Sequence, residues 1–364
     1  MHITSIEPIV VTIPFTAGGS GEGIMPTAWN TLEIVLVKVD TDVGLTGWGE
    51  GFGYFCSRAT AALIRRSIAP VLQGRKLEDP RRLNEELQRK MVLQGRYGIS
   101  TFAISGVDIA LWDLMAKAEN VSLAELLGGH RRQSVPAYGS LVRYGDADLV
   151  ARYTELAVAE FEFPELKLHE ITMPEIRRCH DVLQGATPVS VDVNCNWSLE
   201  FTREVIPELG EMNVSWLEEP IFPPEDFRTL AGLRGRGLPI AAGENACTAF
   251  QFSELMRIGA GDLIQPSITK VGGVTEFLKV LELNRQQKLR LMPHSPYFGP
   301  GYLATLQMAA LEETFELFEY LFVQPDAFLF ADMPLPEKGH VRIPNGPGLG
   351  IDPDPEVIAR YAVT

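Results

Sequence analysis

Asp192 in VDVNCNW, Glu218 in WLEEP and Glu244 in AAGEN recur at equal intervals along the chain, each after a short apolar run of strand type. Three carboxylates brought together at low dielectric repel one another, and some must protonate unless a cation joins them. All-oxygen ligation with positions left for water and substrate suits Mg²⁺, with Mn²⁺ as second choice. Strand side chains alternate in direction, so Glu218 is expected to face the metal and its neighbour Glu219 to turn away, as a supporting group or in a helix-side ion pair.

The elements that must position these acids are legible from residue 135 onward. Eight apolar segments, VPAYGSL (135–141), ELKLH (165–169), PVSVDVN (188–194), VSWLEEP (214–220), PIAAGE (239–244), DLIQPS (262–267), KLRLMPH (288–294) and LFEYL (317–321), alternate with stretches of helical period such as 146–161, 202–212 and 274–287. That alternation predicts a parallel α/β barrel, whose chemistry lies at the C-terminal ends of its strands. Reading those ends returns Lys167, His169, Asp192, Asn194, Glu218, Glu244, Ser267, His294 and Glu319. No GxGxxG or Walker pattern follows any strand, which argues against a doubly wound nucleotide-binding sheet.

Residues 1–125 differ: strand-like IEPIVVTI and LEIVLVKVDTDVGLTGWGE precede helical stretches, as in a separate α+β domain. Residues 126–321 are expected to form the barrel, and 322–364, too short to fold alone, to pack back on the first domain. The glycine-rich stretches 16–30 and 51–57 carry aromatics suited to a lid that excludes water, with Trp29 and Tyr54 as its substrate contacts.

Composition narrows the partners. The 364 residues are 46% hydrophobic and 22% charged, which is ordinary for a globular chain, and 47 acidic against 32 basic residues give a formal charge of -15. Such a balance disfavours nucleic acid and anionic membrane surfaces. The four cysteines are widely spaced with no CxxC pair, and no apolar run approaches the roughly 20 residues of a membrane span. A soluble cytoplasmic protein is expected, with a small carboxylate substrate and further copies of itself in a homo-oligomer as partners.

VDVNCNW, WLEEP and AAGEN, together with GWGEGFG, ISTFAISGVDIALWDLMAK, ELLGG, VGGVTE and GPGLGI, resemble the mandelate racemase and muconate lactonizing group of the enolase superfamily over essentially the whole chain. The resemblance implies a modified (β/α)7β TIM-type barrel capped by an α+β domain built from both termini. It also implies Mg²⁺ on Asp192, Glu218 and Glu244, and abstraction of the proton α to a substrate carboxylate. Dehydration of an acid sugar or related hydroxy acid is the first expectation. A racemase, epimerase or cycloisomerase, or a catalytically silent metal-binding homologue, are the alternatives.

Two departures from the family pattern bear on the acid and base. Where mandelate-racemase-like members commonly carry Lys-x-Lys, this chain has Lys167-Leu168-His169, so His169 takes the place of the base and Lys167 stands beside it. The histidine ending the seventh strand is present as His294, but its usual aspartate partner is replaced by Ser267, which brings no charge. His169, His294 and Lys167 are therefore the expected catalytic groups. Asn194, Asn245, Ser267, Glu319, Trp29 and Tyr54 are the expected substrate contacts, and Lys270 is expected to support a loop.

Overall fold

The structure is a computed structural model that describes residues 1–18, 29–129 and 131–363, so most of the lid stretch 16–30 lies outside the described residues. Strands β1 (Ile3–Thr16), β2 (Thr31–Thr41) and β3 (Thr46–Gly51) form an antiparallel meander, with Val11 opposite Ile34 and Val35 opposite Gly51. The helix Ile99–Ala118 lies directly across β3. A Cβ on Gly49 would sit 1.9 Å from Gly106 O, and one on Gly47 2.3 Å from Ala110 O. The glycines of GWGEG are thus what lets helix and strand touch backbone to backbone. This helix is apolar and long enough to cross a bilayer, yet 83% of its most apolar window is buried inside the fold, as in a core helix.

Eight parallel strands follow: β4 (Ser134–Ser140), β5 (Leu166–Leu168), β6 (Val189–Asp192), β7 (Val214–Glu218), β8 (Ile240–Ala242), β9 (Leu263–Ile264), β10 (Arg290–Leu291) and β11 (Phe318–Leu321). They pair in chain order from β4 to β10; β11 pairs with β4, and a Leu291–Phe315 bridge ties β10 to the approach of β11. The ring closes as a TIM-type barrel. All eight expected strands are present, trimmed to the few residues that make ladder bonds. Tyr138, Trp216, Ala241, Leu263 and Met292 fill the interior below the site.

Each expected barrel helix is found, and two of the three are headed by side-chain caps. Asp146 accepts from Asp148 N and Leu149 N at the head of Ala147–Phe161, while Ser198 accepts from Phe201 N and starts the second helix at Leu199 rather than 202. Pro207 lies inside Leu199–Glu211 without ending it. The chain after β11 touches both parts of the molecule. β12 (Gln324–Pro325) and β15 (Ala362–Val363) pair with β1, whereas β14 (His340–Arg342), joined to β13 (Pro336–Glu337), pairs with barrel strand β4.

Candidate active site

Parallel register places Asp192 opposite Glu218, and Glu218 opposite Ala241. Glu244 reaches the same level because Gly243 bends the chain at φ 129°, where a Cβ would lie 2.9 Å from the Phe252 ring. One carboxylate oxygen from each of Asp192, Glu218 and Glu244 then falls within 4.8 Å of the other two. Hard oxygen donors this close, fixed on rigid strand ends, fit a divalent cation and leave room for further oxygen ligands.

Lys167 lies under this triad. Its ammonium is 3.1 and 3.2 Å from the two oxygens of Glu218, 2.9 Å from Glu319 Oε1 and 3.7 Å from Asp192 Oδ2. Burial opposes its charge, but Glu218 and Glu319 prevail and hold it well above the usual lysine range. Lys167, expected among the catalytic groups, is placed as a sealed counter-ion: fully buried, with no face toward the cavity. Burial would likewise raise Glu319, yet Lys167 and His294 hold it well below the carboxylate range. Glu319 lines the cavity, but its oxygens already accept from Lys167, Ser140 Oγ and Ser295 N. Ionised, Glu319 can only accept hydrogen bonds, so what it offers the cavity is an acceptor.

The two histidines flank the triad. His169 Nε2 is 3.2 Å from Asp192 Oδ2, and its Nδ1 meets the Leu141 carbonyl, which can only accept, so Nδ1 carries the proton. Against burial, His169 and Lys167 hold Asp192 below the carboxylate range. On the other side His294 Nε2 is 3.0 Å from Glu244 Oε2. Its Nδ1 faces Tyr297 Oη at 3.1 Å and Ser267 Oγ at 3.3 Å. Burial lowers the His294 pKa despite Glu244 and Glu319 nearby. Ser267 is not a substrate contact: it is wholly buried behind the imidazole, hydrogen-bonded to Tyr297. The hydroxyl pair thus occupies the place of the missing aspartate.

Two asparagines brace the ligands. Asn194, in the left-handed region at φ 44°, donates from Nδ2 to Asp192 Oδ2 at 3.0 Å. Asn245 donates from Nδ2 to Glu219 Oε2 at 2.6 Å and to Glu244 Oε1 at 3.0 Å. Glu219 does turn from the triad. Burial, with Glu244 beside it, pushes its pKa up to about 7, and it is held by hydrogen bonds rather than by an ion pair.

Above lies a cavity of about 490 Å³. Trp29, Phe52, Tyr54 and Phe102 roof it from the cap; Trp29 and Tyr54 stand with ring centroids 5.1 Å apart, and Tyr54 Oη donates to Pro296 O. Asn194, Asn245, His169, His294 and Glu244 also face it. Two lining cations, Arg143 and Lys270, have no carboxylate within ion-pair distance among the described residues. Lys270 donates to Asn245 Oδ1 at 2.9 Å, so it holds a loop as expected and also borders the site. Arg143 escapes a search of strand ends because it sits three residues past β4, in a loop with no pattern of its own.

Known proteins resemble the chain over nearly its whole length. The enolase C-terminal domain-like family matches residues 148–357, and the mandelate racemase / muconate lactonizing enzyme N-terminal domain matches residues 23–128. Arabinonate dehydratase of Saccharolobus solfataricus is 29% identical over 89% of this chain and 89% of its own. D-galactarolactone cycloisomerase of Agrobacterium fabrum is 29% identical over 90% of each chain. The crystal structure of an enolase superfamily member from Polaromonas sp. JS666 superposes with a TM-score of 0.89 at 30% identity, covering 100% of this chain and 98% of that one. With matching family domains across both the cap and the barrel, the chain belongs to the mandelate racemase/muconate lactonizing enzyme family of the enolase superfamily.

Proposed function

We propose that this protein is a Mg²⁺-dependent lyase that removes the proton α to a carboxylate and expels a β-hydroxyl from an acid sugar or related hydroxy acid. The observation that carries the reading is the carboxylate triad with a histidine against each flank, His169 at Asp192 and His294 at Glu244. Resemblance to an arabinonate dehydratase supports dehydration. Bound at Asp192, Glu218 and Glu244, Mg²⁺ would supply Lewis-acid stabilisation of the charge that develops as the α proton leaves.

The chain's own groups do the rest. The Leu141 carbonyl accepts from Nδ1 of His169, so Nε2 is the nitrogen that takes the α proton once Asp192, now 3.2 Å from it, serves a cation instead. His294 Nε2, on the other flank, enters as the imidazolium, a form that burial disfavours and Glu244 and Glu319 favour, and delivers its proton to the departing hydroxyl, which leaves as water. Lys167 keeps the floor of the site from accumulating negative charge, and the aromatic roof excludes water. Placement of the histidines on two sides also suits proton transfer across a substrate, and resemblance to a cycloisomerase gives an isomerase as the second reading.

Incubation of the protein and Mg²⁺ with a panel of sugar acids should yield a 2-keto acid, detected as its semicarbazone, and His169→Asn and His294→Asn should each abolish it. Deuterium exchange or epimer formation in D₂O without a keto product would remove the lyase reading in favour of the isomerase.

A further inference from the structure

Arg143 is tied along one edge only. Its Nε donates to His169 O at 2.7 Å and its Nη2 to Asn194 Oδ1 at 3.3 Å. These contacts fix the guanidinium plane. The outer N–H groups of Nη1 and Nη2 meet no protein acceptor among the described residues, and no carboxylate pairs with the group. The side chain is part-buried in the cavity wall beside Val142 and Leu321. Burial disfavours this guanidinium's charge, Glu170 and Asp192 offset that only from beyond ion-pair distance, and its free edge presents two parallel N–H groups, the fork that a carboxylate fits.

Asn194 joins this fork to the reacting centre, accepting from Arg143 and donating to Asp192. A group seated on Arg143 and a carboxylate seated at the triad are therefore separated by little more than one carboxamide. Lys270, on the other flank, offers no fork: it is a point charge facing Asn245 and lying 5.0 Å from the centre of the Phe52 ring.

We propose that Arg143 binds a second carboxylate of the substrate, so that the preferred substrates are dicarboxylic hydroxy acids, held by the triad at the reacting end and by Arg143 at the other. The proposal rests on the reading that the triad receives the reacting carboxylate. A hydroxyl at Arg143 would leave the charge uncompensated and one N–H of the fork unused.

The test compares aldonates with aldarates of the same carbon number, by calorimetry for binding and by kcat and KM for turnover, in the wild type, Arg143→Gln and Arg143→Lys, each with Mg²⁺ present. Aldarates should bind at least tenfold more tightly than matched aldonates. Arg143→Gln should weaken aldarates at least tenfold more than aldonates, chiefly through KM, and Arg143→Lys should restore part of the difference. If Arg143 serves only to clamp the His169 loop, both acid classes fall together, chiefly in kcat, and the proposal is overturned. Equal or better binding of aldonates by the wild type overturns it too, whatever the variants do. Turnover confined to aldonates would sink this proposal and leave the lyase reading in place, whereas Arg143-dependent aldarate binding without turnover would do the reverse.

Discussion

Lys167 Nζ lies 3.1 and 3.2 Å from the two oxygens of Glu218, so a fully buried ammonium grips a fully buried carboxylate that the metal would also use. Removing one partner of such a pair strands the other charge at a cost of about 3–5 kcal/mol. Lys167→Met should therefore lower the Tm sharply in EDTA, and millimolar Mg²⁺ should recover part of the loss by supplying positive charge to the triad. Thermal melts with and without Mg²⁺ measure both; an unchanged Tm in EDTA would show that the pair contributes nothing.

Glu218→Gln removes one charge of the triad at nearly constant shape. Mg²⁺ affinity should fall by at least about 100-fold, the upper range for losing a mere supporting residue, and turnover should fall with it. Far-UV circular dichroism should stay unchanged, and the metal-free Tm should fall, because Lys167 loses one of its paired carboxylates and relief of repulsion at Asp192 and Glu244 offsets only part of that loss. Calorimetric Mg²⁺ titration gives the affinity, and wild-type binding by this variant would dismiss Glu218 as a ligand.

Glu50, buried under the cap with Oε2 accepting from Gly301 N at 2.8 Å, is pushed by burial from 4.5 up to about 8. Its folded form holds the proton more tightly than the unfolded chain does. Its stabilisation is thus fully present below pH 4.5 and declines as pH rises toward about 8, by about 1.4 kcal/mol per pH unit. Glu50→Gln keeps an acceptor for Gly301 and cannot ionise, so it should flatten this slope and raise the urea midpoint at pH 8 more than at pH 5. Parallel decline in both proteins would place the pH dependence elsewhere.

What the sequence disclosed follows from what each feature depends on. Eight strands and the triad were legible because strand type and the rule that chemistry sits at strand ends are local properties, so Asp192, Glu218 and Glu244 could be named from their own segments. The partnership of Lys167 with Glu319 depends on ring closure, which sets β5 and β11 on either side of β4. Tyr297 reaches Ser267 only through the course of the loop after β10, which no periodicity encodes. Arg143 had no signal beyond its position shortly after a strand. Roles assigned to single residues by resemblance were the weakest: Glu319 has the expected place, but its ionisation is set by Lys167.

The backbone contact between β3 and the helix Ile99–Ala118 separates a fixed stretch, Gly47 to Gly51, from the cavity-lining residues that follow it; Gly53, between them, is also held, a Cβ there lying 2.3 Å from Glu33 O. At Gly47, Gly49 and Gly51 any side chain would strike a helix carbonyl, so this stretch is fixed by geometry alone. Phe52, Tyr54, Phe55 and Cys56, a few residues on, line the cavity and rest on that fixed track. A new acid can therefore be accommodated by exchanging Phe52, Tyr54, Phe55 or Cys56 while the glycines keep the roof in register over the barrel. The support and the selectivity of the site are separable inheritances within ten consecutive residues.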